Sequence, residues 1–176
     1  PSTQSLSITG ATTINNPTYS AVYSWAGDAN HMLDVFIGSG VSITSNGGSG
    51  AVWLRNEVSG DISIDSAANV TATGGPGITV TTNLGSVSLI NRGSVTSTDD
   101  RGLYADGGFN NTSPALVSIG NTGVVDAYTA GARSINYLGL STISNSGTVT
   151  SATRQGLVAW AANGDASVSN PGAVTA

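Results

Sequence analysis

The side chains with the most evident chemical use are one imidazole, two adjacent carboxylates and a scatter of aromatic rings. His31 lies in Gly27-Asp-Ala-Asn-His-Met-Leu-Asp34, between two carboxylates able to tune its proton affinity. A Ser/His/Asp hydrolase would need it as general base, but its surroundings read as a polar loop. Asn163-Gly-Asp-Ala-Ser167 faintly echoes a hydrolase Gly-Asp-Ser, yet it falls where turn residues recur and is assigned to a turn. Asp99 and Asp100, followed by Arg101, would support acid/base work or bind a cation only by converging with other carboxylates. Comparable places elsewhere hold Ala127, Tyr128 and Thr153, so solvated loop charges are the expectation. The sequence has no cysteine, no Asp-rich calcium loop and no phosphate-cradling Gly-Lys-Ser/Thr. No catalytic residue, metal site or cofactor is expected.

Composition points to strands. Of 176 residues, 24 are glycine, 39% are hydrophobic and 9% charged, and Val, Ile and Thr recur throughout. The net charge is −5, and all five basic residues are arginine: Arg55, Arg92, Arg101, Arg133 and Arg154. Their even spread along the chain predicts no basic patch, so nucleic acid is not an expected partner. No apolar run reaches the length of about 18 residues needed to span a bilayer as a helix. The chain opens without Met or a signal peptide, which reads as a mature or excised segment.

These residues are organised by an internal repeat. Leu89-Ile-Asn-Arg-Gly-Ser-Val95, Ile119-Gly-Asn-Thr-Gly-Val-Val125, Ile143-Ser-Asn-Ser-Gly-Thr-Val149 and Val168-Ser-Asn-Pro-Gly-Ala-Val174 all read apolar-x-Asn-x-Gly-x-Val. Weaker copies start at Ile64, Ile37 and Ile8, giving spacings of 24 to 30 residues. A second glycine follows thirteen residues after the start at Gly50, Gly77, Gly102 and Gly156, and twelve after it at Gly131. Short alternating segments flank these landmarks, so each repeat holds three strand-like pieces separated by turn residues. Stacked about 4.8 Å apart, such units make a β-solenoid of about seven turns, a rod of roughly 30 Å. The four asparagines should form an amide ladder, and the glycine two residues later should permit a bend or a positive φ. Length variation falls around Gly27 to Asn30, Arg55 to Asp61 and Gly107 to Pro114, loops expected on one side of the rod.

The repeat also predicts an outer face. If positions 14 and 16 after each start point inward, positions 15 and 17 point outward. Those rows read Tyr23, Val52, Thr79, Tyr104, Arg133, Val158 and Trp25, Leu54, Thr81, Asp106, Ile135, Trp160. Such an apolar, aromatic strip is expected to bind a partner, with Tyr23, Trp25, Tyr104, Arg133 and Trp160 as contact residues. The register is least constrained in the divergent turns of residues 1–60, where it turns Trp53 inward; residues 61–176 carry the regular repeats.

Asn145-Ser-Gly-Thr-Val149 and its relatives at 91, 121 and 170 resemble the passenger region of Gram-negative bacterial autotransporters, the type V secreted proteins. The likeness covers residues 60–176 well and the first 60 poorly. It implies an all-β, right-handed parallel β-helix, secreted or displayed at the cell surface, with adhesion, self-association or capture of a host protein or glycan as its role. The family's C-terminal membrane barrel has no counterpart here, so the chain reads as a single β-helix fragment of a longer passenger. A polysaccharide-active β-helix enzyme using surface carboxylates, or a passive spacer, are the alternative readings.

Overall fold

The structure, a computed structural model, describes residues 2–27, 31–108 and 115–176, and none of these is helical. Each repeat folds as three short strands. A first sheet stacks Ser2–Ile8, His31–Ile37, Ile62–Ser66, Val87–Asn91, Leu116–Asn121, Leu140–Asn145 and Ala166–Ser169. A second stacks Thr12–Asn16, Val41–Ser45, Asn69–Ala72, Ser94–Ser97, Val124–Ala127, Thr148–Ser151 and Ala173–Thr175. The third contains Val22–Ala26, Val52–Asn56, Ile78–Thr82, Leu103–Gly107, Ala132–Asn136 and Leu157–Ala161. All pairings join successive turns in parallel. The chain is therefore a parallel β-helix, with six three-stranded turns followed by two further strands.

Alternation fixes which side chains enter the rod. In Val41–Ser45 and Ile62–Ser66 every second residue is buried. The first sheet's inner row, Val35, Ile64, Leu89, Ile119 and Ile143, is at most 1% exposed. So is the second sheet's row, Ile43, Val70, Val95, Val125 and Val149. Each such side chain contributes about 1.5–3 kcal/mol of burial, which no single turn could collect.

Strand pairing corrects the register of the first two turns. Ile64 lies beside Val35, which in turn lies beside Leu6, whereas Ile37 lies between Ile8 and Ser66. The true origins are thus Leu6 and Val35 rather than Ile8 and Ile37. The two surplus residues sit in the first corner, between Ile37 and Val41, where later turns have a shorter link such as Ala67-Ala68. One more residue is inserted before the third strand: Ala51, not Gly50, occupies the place of Gly77, and Gly50 takes a φ of 120°. Consequently Val52 and Leu54 are fully buried, and Trp53 and Arg55 point outward.

The amide ladder forms as expected. Asn91 Nδ2 donates to Asn121 Oδ1 at 2.8 Å, Asn121 to Asn145 at 2.7 Å and Asn145 to Asn170 at 2.7 Å. The glycine of the same heptapeptide sits at a bend, one of its two expected uses, and not at a positive φ. The positive-φ glycines among the described residues are Gly10, Gly50, Gly60 and Gly108, none of them in that row. Gly93, Gly123, Gly147 and Gly172 instead allow close approach: an added Cβ would stand 2.0–2.2 Å from a carbonyl oxygen of the preceding turn.

Candidate functional site

The third sheet's outer face carries all five residues expected to bind. The paired rows are Tyr23, Trp53, Thr79, Tyr104, Arg133, Val158 and Trp25, Arg55, Thr81, Asp106, Ile135, Trp160. Val52 and Leu54 leave the predicted rows for the core; Trp53 and Arg55 replace them. The face is more aromatic than the sequence register implied, because Trp53 joins Tyr23 and Trp25 on the first two turns.

The strip is not uniformly open. Tyr23, Trp25 and Trp160 are 53%, 51% and 43% exposed, whereas Thr79, Ile135 and Asp106 are buried. Large side chains therefore stand as walls over small or recessed ones. Tyr23 and Trp53 meet with ring centroids 5.1 Å apart. Arg55 lies 5.8 Å from the Trp53 centroid and is held by Glu57 at 2.7 Å. Arg101 lies 4.4 Å from the Tyr104 centroid, near enough for a cation–π contact. Trp160 packs edge-on against Tyr137 at 5.5 Å. Trp25 lies over Gly27, whose hypothetical Cβ would sit 2.5 Å from the indole ring.

Three cavities follow these walls along the rod. The first, about 380 Å³, is lined by Tyr19, Tyr23, Trp53, Thr18, Ser20 and Ser49 among others. Trp53 also walls the second, about 470 Å³, with Arg55, Thr81, Asn83, Tyr104 and Asp106. Thr79 and Thr81 supply only short side chains to the intervening turn, which is why a trough opens between Trp53 and Tyr104. The third cavity, about 760 Å³, is lined on the outer face by Asp100, Arg101, Thr129, Arg133, Arg154 and Val158, and it runs round the last turn onto the inward-row residues Leu157, Ala159 and Val168. The stacked Tyr104–Arg101 pair separates the second cavity from the third.

The third cavity overturns the expectation that no basic patch forms. Arginines spaced by about a repeat length become neighbours when turns stack, and three of the five line this one space. Among the described residues, Arg133 and Arg154 form no ion pair, while Arg55, Arg92 and Arg101 lie 2.7, 2.8 and 3.7 Å from carboxylates. Arg133 Nε is buried and unpartnered.

Asp106 is the one carboxylate among the described residues that line the second cavity. Its Oδ2 accepts the Tyr104 hydroxyl at 2.8 Å, while Oδ1 is buried without a hydrogen-bond partner. Burial raises its carboxyl above the ordinary range, against the lowering effects of the Tyr104 hydrogen bond, Arg133 and Arg101. Burial, then the Asp106 charge, pushes the Tyr104 phenol up as well, so the phenol remains a donor. The folded state thus holds the Asp106 proton more tightly than the unfolded chain does. This contribution to stability is complete below the ordinary carboxylate range and is lost as pH rises through the raised value. Asp106→Asn keeps an acceptor for Tyr104 and removes the charge. It should raise the melting temperature at neutral pH more than in acid; an equal effect at both would refute the burial argument.

The other candidates do not converge. Asp99 is exposed, and Asp100 is tied into its corner by Ser97, Thr129 and Arg101. His31 begins a first-sheet strand, where its carbonyl accepts Asn56 Nδ2 at 2.9 Å; Asp28 lies outside the described residues. Asp165 accepts the Ser141 amide through its carbonyl, and Ser167 sits in a strand beside Thr142, a structural use of both. Among the described residues no group of three His, Cys, Asp or Glu side chains is placed to hold a metal ion.

No family model matches the chain, and neither does any curated protein or solved structure. The third-sheet face, rather than a relative, has to carry an assignment of function.

Proposed function

We propose that this chain is a non-catalytic binding rod, part of a surface-displayed or released passenger of the autotransporter kind that its repeat resembles. The observation that carries the reading is the line of three adjoining cavities along the third sheet, walled by Tyr23, Trp53, Tyr104 and Arg101. Rings standing over a polar floor offer apolar area and orienting hydrogen bonds together, the combination found in ligand sites. A glycosidase would need a second acidic group working opposite Asp106, and Asp106 is already engaged by Tyr104. Adhesion to a host protein or glycan, or to another copy of the rod, fits the face better than catalysis does.

Trp53→Ser and Tyr104→Ser test this. Each should preserve the β-sheet circular dichroism, because both side chains point away from the core, and each should weaken adhesion of the purified chain to immobilised host cells at least about tenfold. Folded variants that adhere like the parent would reduce the rod to a spacer. Sedimentation of the same proteins separates adhesion to cells from self-association.

A further inference from the structure

Resting on that binding reading, we propose that the third-sheet face takes an extended acidic polysaccharide, its sugar rings against Trp53 and Tyr104 and its acid groups in the Arg101–Arg133–Arg154 cavity. The shape indicates a linear ligand. Tyr23 and Val158, near the two ends of the line of cavities, are five turns apart in one row, roughly 24 Å at the spacing of stacked strands. Trp53 and Tyr104 are two turns apart, roughly 10 Å, about the advance of two sugar rings in an extended chain.

The chemistry of the second cavity suits a sugar. Carbon–hydrogen faces of a ring can lie on Trp53 or Tyr104, while Thr81, Asn83 and Asp106 present donors and acceptors to hydroxyl groups. Arg55 in this cavity is neutralised by Glu57, so the middle of the groove exerts no net attraction on an anion.

The third cavity does exert one. Among the described residues it combines three guanidinium groups with one carboxylate, Asp100, on a chain whose net charge is −5. Arg133 and Arg154 have no ion-pair partner among the described residues, and Arg133 Nε is both buried and unpartnered. Guanidinium groups bind carboxylate or sulfate through paired N–H donors, and partial burial strengthens each contact. A polynucleotide fits less well: it needs neutralisation along its whole backbone, and the unpaired arginines occupy one end of this groove.

The test is calorimetric titration of the whole chain with polygalacturonate, its methyl ester, dextran sulfate, polyglutamate and an oligothymidylate. Polygalacturonate or dextran sulfate should bind, and preference between them identifies carboxylate or sulfate as the group read. The methyl ester and polyglutamate, which lack the acid and the sugar respectively, should bind at least about tenfold more weakly than polygalacturonate. Combined Arg133→Gln and Arg154→Gln should weaken acidic-polysaccharide binding by at least about tenfold. Arg92→Gln, on another face and removing one positive charge, should leave it unchanged. Failure of both acidic polysaccharides to bind, equal binding by the double variant, or tighter binding of the oligonucleotide or polyglutamate would overturn the proposal. If the methyl ester binds as well as the acid and Trp53→Ser loses both, the acidic specificity fails while the binding face stands. If Trp53→Ser also adheres to cells like the parent, the binding face fails too.

Discussion

Gly123→Ala should be among the most damaging single-methyl additions in this protein, lowering stability by on the order of 3 kcal/mol or more. The Cβ would lie 2.0 Å from the Gly93 carbonyl oxygen, with the Arg92 carbonyl carbon at 2.8 Å. Both contacts are backbone atoms of the preceding turn, so no rotamer change relieves them. Relief requires the two turns to separate at this corner, where the Val124 amide donates to the Gly93 carbonyl at 2.9 Å. Gly120, three residues earlier, provides the contrast: its Cβ would meet only Ile90 Cγ1 at 3.9 Å. Gly120→Ala should therefore be neutral or stabilising by up to about 0.5 kcal/mol, since a strand glycine carries excess unfolded-state entropy. Chemical denaturation of the two variants decides the matter. Equal effects would mean that glycine in this repeat acts through backbone freedom and not through close approach.

That contrast also shows what could be read from the sequence. The heptapeptide exposed the fold because stacking demands the same residue type at the same height in every turn. Its apolar ends, asparagine and glycine are all such ladder positions. The reason for the glycine was hidden, since a residue that needs φ above zero and one that needs a bare Cα look alike in sequence. Register was legible from Ile64 onward, where the first corner keeps one length and the second glycine marks the start of the third strand. It failed at Trp53 because two residues inserted at one corner and one at the next shift the alternation by an odd number, and a single-residue slip exchanges the two faces of a strand. The arginine cavity was missed for a related reason. Distance along a solenoid sequence is a poor guide to distance in space, so Arg101, Arg133 and Arg154, apparently dispersed, share one cavity. Grouping charges by nearby positions within the repeat, rather than along the chain, would have revealed it.

Asn121→Ala is the second change expected to have a large effect, on the order of 3 kcal/mol of lost stability. The amide accepts from Asn91 Nδ2 at 2.8 Å and donates to Asn145 Oδ1 at 2.7 Å, both bonds being buried. Its Nδ2 also reaches the Gly123 carbonyl at 3.3 Å. Removing it leaves one donor of Asn91 and the acceptor of Asn145 without their ladder partner, inside a stack with no route to solvent, and a buried unsatisfied group costs about 1–3 kcal/mol. A void the size of the lost amide adds to this. Position in the ladder should matter as much as chemistry. Asn170 stands on the exposed last turn and receives only the Asn145 donor, so Asn170→Ala should cost about 1 kcal/mol or less. At the other end the row changes to Ser66 and then Ile37, and Asn91 Oδ1 and Ser66 Oγ are both buried without partners. The ladder is therefore directional, each amide donating to the turn that follows it. Interior rungs are doubly committed and terminal rungs singly. A stability series across Asn121, Asn145 and Asn170 that showed no decline toward the end would contradict this account of how successive turns are locked together.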